Sequence, residues 1–222
     1  MWHDALLVAR KDLRIELRAH VARNQVLPFA IAVLLLFGLA LGPDHDRLKA
    51  AAAGLFWVTV LFSTILAVHR SFALERDDGA LDGLRVSGID PGGVFLGKSA
   101  ALLIELTALE VALALIATVL FGVPLESGAF LAVAAIAATA GLAAIGTLYG
   151  ILASSSRVQE TLLPLLLLPV AAPVLLGAVK AWQLGIAGTP GSGLGWLALL
   201  GAFAAIYLAL GTVAFGVLLE DG

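Results

Sequence analysis

Long unbroken apolar runs alternate with short polar interruptions along this chain. The runs show neither the alternation of a barrel strand nor the polar face of a soluble helix. A spanning helix needs roughly 20 mostly apolar residues. Six stretches meet that length, at about 24–42, 50–69, 99–122, 128–153, 161–179 and 195–219. Most connections between them are short: GPDHDRLK, VPLES, SSSRVQE and the Gly/Pro-rich KAWQLGIAGTPGSGL. One is long, the acidic, glycine-punctuated segment 70–98, RSFALERDDGALDGLRVSGIDPGGVFLGK. The N-terminal 1–23 segment has a different period. Trp2, Leu6, Ala9, Leu13 and Leu17 fall in one narrow arc at 100° per residue, with Lys11, Arg14 and Arg18 opposite. That pattern predicts an amphipathic helix at the inner leaflet, with its apolar stripe in lipid and its cations near headgroups. The alternative is a helix packed on a partner domain. The predicted fold class is all-α: a single polytopic domain over 1–222 with six transmembrane helices and an N-terminal interfacial helix.

Composition supports this reading. Hydrophobic residues make up 61% of the chain and charged residues only 13%, about half the usual share of a soluble domain. With no cysteine, disulfides and thiolate metal sites are excluded. The N-terminus lacks the continuous apolar core of a cleavable signal peptide. The cations are unevenly spread. Arg10, Lys11, Arg14, Arg18, Arg23, Arg70, Arg76, Arg85, Lys98 and Arg157 fall on one side of the predicted topology, and Arg47, Lys49 and Lys180 on the other. The positive-inside rule then sets both termini and the long loop in the cytoplasm.

Candidate chemistry is sparse. Residues 92–99, GGVFLGKS, match the phosphate-loop pattern, but no hydrophobic strand precedes them and a membrane span follows, so the pattern does not predict a nucleotide site. Its glycines are expected to turn the chain back, with Lys98 anchoring the third span at the headgroups. Asp77 and Asp78 are placed to cap a short helix from Gly79, with Leu81 and Leu84 as apolar knobs and Glu75 as flanking charge. Such a helix suits docking into a groove on a cytoplasmic partner. Glu105 and Glu110 lie inside the third span, about 140° apart around it. They are read as either protonated or hydrogen-bonded structural carboxyls or a proton or cation relay. Pro164, Pro169 and Pro173 predict a bent or broken fifth span, as a moving element or a fixed kink. Gly146 and Gly150 form a GxxxG, a weak signal in a chain with 24 glycines. His3, His20, His45 and His69 form no metal-ligand spacing, and nothing points to an intrinsic enzyme.

Several segments together resemble the CcmB family, the permease of the cytochrome c maturation haem exporter. They are ARKDLRIELR at 9–18, LLLFGLALGP at 34–43, the run GLFWVTVLFSTILAVHRSFALERDDGALDGLRVSGIDPGGVFLGK at 54–98, and SRVQETLLPLLLLPVAAPVLLGAVKA at 156–181. The resemblance implies an inner-membrane ABC-type subunit with an ABC-2-like arrangement of six spans, paired with a second copy of itself. It implies a separate CcmA-like ATPase that binds the ATP, CcmC-like and CcmD-like subunits, and the haem chaperone CcmE, with haem handled by the complex. It implies no cofactor on this chain and no nucleic-acid partner. Glu75, Asp77, Asp78, Gly79, Leu81 and Leu84 become the expected ATPase-coupling element. Competing readings are an ABC-2 exporter of lipid, polysaccharide or drug, a proton-coupled secondary transporter using Glu105 and Glu110, and a passive assembly scaffold.

Overall fold

The structure, a computed structural model, describes every residue except 20–21, 78–88, 124–126, 155–158 and 222. Among these residues the regular elements are all helical. Helix α1 covers Trp2–Ala19, and a π-helical turn at Ala22–Val26 leads into α2, Leu27–Leu41. Then come α3 at His45–Asp77, α4 at Pro91–Phe121, α5 at Gly128–Ser154 and α6 at Gln159–Ile186. A 3₁₀ turn at Pro190–Gly193 opens α7, Leu194–Asp221. Six of the helical segments are long and apolar enough to cross a membrane: Asn24–Leu41, His45–Ala73, Pro91–Phe121, Gly128–Ala153, Leu163–Ile186 and Pro190–Leu218. The protein is a multi-pass membrane protein.

Three helices run past the predicted spans: α6 continues to Ile186, into the expected Gly/Pro-rich connection, and α3 and α4 extend into the long one. Helix α3 has 33 residues, about 50 Å at 1.5 Å each, and so outreaches a hydrocarbon core of about 30 Å. It begins in the expected loop because Asp44 Oδ1 accepts the backbone N–H groups of Asp46 and Arg47 at 3.1 and 3.2 Å. Helix α4 begins at Pro91 rather than near Ser99. Asp90 caps it, its Oδ2 accepting from Gly93 N at 2.7 Å, and Pro91 takes the first turn, where a missing N–H costs nothing. The long loop therefore shrinks from both sides. Residues 70–77 are helix, and Gly92, Gly93 and Gly97 lie inside α4 instead of bending the chain back.

The bundle centres on α5, which packs against α3, α4, α6 and α7. Its small residues allow this close approach: Ala134, Ala138, Ala143 and Ala144 are buried, beside Leu142 and Ile145. The Gly146–Gly150 pair, a weak signal in sequence, is a working notch. A Cβ at Gly146 would sit 2.7 Å from Val68 Cγ2, and one at Gly150 would collide with the ring of Phe72. Helix α6 is continuous through Pro164, Pro169 and Pro173, so the predicted break is absent. Its buried stripe runs Leu163, Leu167, Ala171, Val174, Ala178 and Ala181, while Pro169 and Pro173 are exposed. Pro169 and Pro173 thus face away from the core, while Pro164 is half-buried beside Phe29 and Phe62. Peripheral α2 packs mainly on α3 and α4.

Contacts fix the ends of the bundle. Pro91 lies beside Gly216, near the end of α7, and Gly93 beside Met1. Gly122, at the other end of α4, lies near His45 and Lys49 at the start of α3. Residues 89–90 and both chain ends therefore share one end of the bundle.

Candidate functional site

The end that carries residues 89–90 is built around an unexpected contact. Helix α1 runs parallel to the first half of α4. Gly93 faces the Met1 carbonyl and Asp4, and Gly97 faces the Ala5 carbonyl and Val8. Lys98 meets Asp12, and Glu105 lies within electrostatic range of Glu16. Residue numbers rise together on both helices, so α1 lies alongside α4. Gly93 and Gly97 are a GxxxG spacing, which lets two helix backbones approach closely. Sequence reading had treated the same glycines only as part of a phosphate-loop look-alike. The expected stripe on α1 is still largely outward: Trp2, Leu6 and Leu17 are exposed. Ala9, a member of that stripe, is buried instead, as is the neighbouring Val8 that meets α4.

This approach changes the role of Lys98. The side chain is 2% exposed and does not reach headgroups as expected. Its Nζ is 3.4 Å from Asp12 Oδ2 and donates toward Ser71 Oγ at 3.5 Å. It also sits over the Phe72 ring, 4.8 Å from the centroid, a favourable cation–π geometry. Phe72 in turn fills the Gly146–Gly150 notch on α5. One cation thus ties α1, α3 and α4 together, and Phe72 extends the tie to α5. At the head of α4, the Met1 ammonium lies 3.2 Å from Asp4 Oδ2 and 3.8 Å from the capping Asp90. Its hydrogen bond holds the Asp4 carboxyl below the usual carboxylate range.

Glu75 and Asp77 lie in the last turn of α3, and their side chains are outside the described residues. Asp78, Gly79, Leu81 and Leu84 also fall outside the described residues. The structure describes what flanks the predicted docking element: the α3 end on one side, and Asp90, Pro91 and the α1 contact on the other.

The two intramembrane carboxyls have separate surroundings. Glu105 faces the α1–α3 side, within electrostatic range of Glu16 and of Arg70, a cation the sequence did not pair with it. Arg70 also donates to Gln25 Oε1. Glu110 is buried, with its Oε1 accepting the Thr139 hydroxyl of α5. Among the described residues the two share no hydrogen-bond partner, so the geometry there does not link them in a relay. Among the described residues no three His, Asp or Glu side chains gather as a metal site.

Comparison with known proteins decides the family. The family model described as "CcmB protein" matches residues 3–221. The chain belongs to the CcmB family. Among CcmB relatives, "Heme exporter protein B" of Rhodobacter capsulatus is 31% identical over 179 residues, covering 80% of this chain and 82% of the relative. The protein of the same name from Pseudomonas aeruginosa is 30% identical over 201 residues, 90% of each chain. That from Bradyrhizobium diazoefficiens is 28% identical over 218 residues, 96% of each. The resemblance stated from sequence is therefore correct, and it extends over nearly the whole chain.

Proposed function

We propose that this CcmB protein is the non-catalytic membrane subunit of a haem exporter serving cytochrome c maturation. A separate ATPase docks on residues 78–88 and the adjoining helix ends. The names of the relatives support the haem-export reading, and the family supports a role in cytochrome c biogenesis. The observation that carries the coupling reading is the Lys98 cluster. A push on the 78–88 segment reaches α3 and α4 directly, because the segment joins them. Lys98, Asp12 and Phe72 bind those two helices to α1 and α5. A load at the loop would then move four helices as a body instead of bending one turn.

In this reading both termini and the loop face the cytoplasm of a bacterial inner membrane. ATP is bound by a CcmA-like partner, a second copy of this chain completes the permease, and CcmC-like, CcmD-like and CcmE-like proteins handle haem on the outer side. The continuous packing of α4 and α5 around separately partnered Glu105 and Glu110 favours this over a proton-coupled carrier.

The test is co-purification in mild detergent with a co-expressed CcmA-like ATPase, followed by ATP hydrolysis. Leu81→Asp or Leu84→Asp should remove the ATPase from the complex while the thermal midpoint of the membrane subunit stays unchanged. Undiminished recovery of the ATPase with both variants would reject the docking element.

A further inference from the structure

A cavity of about 290 Å³ lies between α3, α4, α5 and α6, toward the end of the bundle remote from residues 89–90. It plays no part in the coupling argument. Its walls are almost wholly apolar, and two of them are aromatic: Phe56 and Trp182. These rings are stacked with centroids 4.1 Å apart, and Trp57 stands edge-on to both at 5.6 Å. Trp182 is held in place by its indole N–H, which donates to the Leu131 carbonyl at 3.2 Å.

One acidic side chain enters this space. Glu110 is 4% exposed. Its Oε1 accepts the Thr139 hydroxyl, whereas Oε2 is buried with no hydrogen-bond partner. A buried acceptor left open is unfavourable, and a donor that reaches it gains more than one in water. A single water would satisfy the oxygen but leave most of the apolar volume empty. The rim gives the direction of entry. Val111, Ala132 and Ile136 line the cavity and are also exposed on the outside of the bundle. The mouth thus looks sideways into lipid, between α4 and α5.

We propose that this cavity binds a lipophilic amine drawn from the bilayer, with an aromatic body beside Trp182 and its ammonium paired with the Glu110 carboxylate once that side chain turns Oε2 into the space. Three features select that chemistry. The lone carboxyl can pass its proton to an amine and then pair with the ammonium so formed. Aromatic faces attract cations as well as apolar rings. A mouth in the hydrocarbon admits only molecules that partition there. The volume is at the small end of ligand pockets, which fits one ring and a short chain. The inference stands independently of haem export and of the ATPase.

The test uses the full chain in lipid nanodiscs, titrated with phenylbutylamine and, for comparison, its neutral analogue phenylbutanol. Empty nanodiscs give the partition background. Saturable binding of the amine is expected, with the alcohol clearly weaker. Glu110→Gln keeps the acceptor for Thr139 and should weaken amine binding at least roughly tenfold, as for loss of a buried charge partner. Ala135→Phe, which fills the cavity, should abolish binding. Thermal midpoints of both variants report folding. The proposal fails if the amine shows no saturable binding above background, if the alcohol binds as well as the amine, or if Glu110→Gln leaves affinity unchanged. Should Glu110→Gln not fold, the amine–alcohol comparison in the unaltered protein decides.

Discussion

Replacing Gly97 with alanine tests whether α1 truly lies on α4. A Cβ at this position would stand 2.6 Å from the Ala5 carbonyl oxygen and 2.7 Å from Val8 Cβ. Neither atom is the free end of a flexible side chain, so no rotamer change relieves the clash and α1 must move away. Two terms oppose each other. Helix propensity favours alanine by about 1 kcal/mol. Overpacking a close contact costs about 1–3 kcal/mol. The steric term wins, for a net loss of about 1 kcal/mol in the middle of that range. Gly54→Ala is the control. It lies inside α3 with nothing within 4 Å of the added carbon, so only the propensity gain of up to about 1 kcal/mol remains. The two variants should therefore differ by about 2 kcal/mol, or several degrees in thermal midpoint for a chain of this size. Thermal unfolding in detergent measures the difference, and amide exchange along α1 should rise in Gly97→Ala alone. If Gly97→Ala raises the midpoint as Gly54→Ala does, the helix contact described here is not formed.

The Lys98–Asp12 pair should show coupling in a double-mutant cycle of Lys98→Met and Asp12→Asn, on the order of 0.5–3 kcal/mol by thermal or chemical unfolding; strict additivity would deny the contact. Lys98→Met should be the more costly single change, because Lys98 also serves Ser71 and Phe72. Phe72→Ala empties the Gly146–Gly150 notch and should destabilise by roughly 3–5 kcal/mol; a loss under 1 kcal/mol would mean the ring is not in the notch. Pro169→Ala and Pro173→Ala remove helix-disfavouring residues from an exposed face and should raise the midpoint; a lowered midpoint would show that the prolines support packing.

The CcmB assignment and the packing of α1 bear on each other. The family resemblance draws much of its weight from 9–18 and 54–98, and the structure brings parts of these two segments together. Asp12 belongs to the first, and Phe72 and Lys98 to the second. Segments distant in the chain thus meet at the base of the loop where a partner would press.

What the sequence determined by itself is the membrane scaffold. The apolar runs at 128–153 and 24–42 lie within a residue of the spans observed, because length and hydropathy are local properties and a helix satisfies its own backbone hydrogen bonds in lipid. The outward stripe Trp2, Leu6 and Leu17 was legible for the same reason, since lipid selects side chains one at a time. The tertiary structure alone decided which glycines are contacts, where Lys98 goes and what Glu110 faces. A glycine at a turn and a glycine under a neighbouring helix look alike in sequence. The early start of α4 was written in Asp90 and Pro91, yet a membrane-length template begins counting only where the charges stop. Lys98 is buried because α1 comes close enough to give it Asp12, a partner 86 residues away. Glu110 opens onto a cavity because α3, α5 and α6 leave a gap beside it, and a gap between helices is a property of their packing, which no single segment encodes.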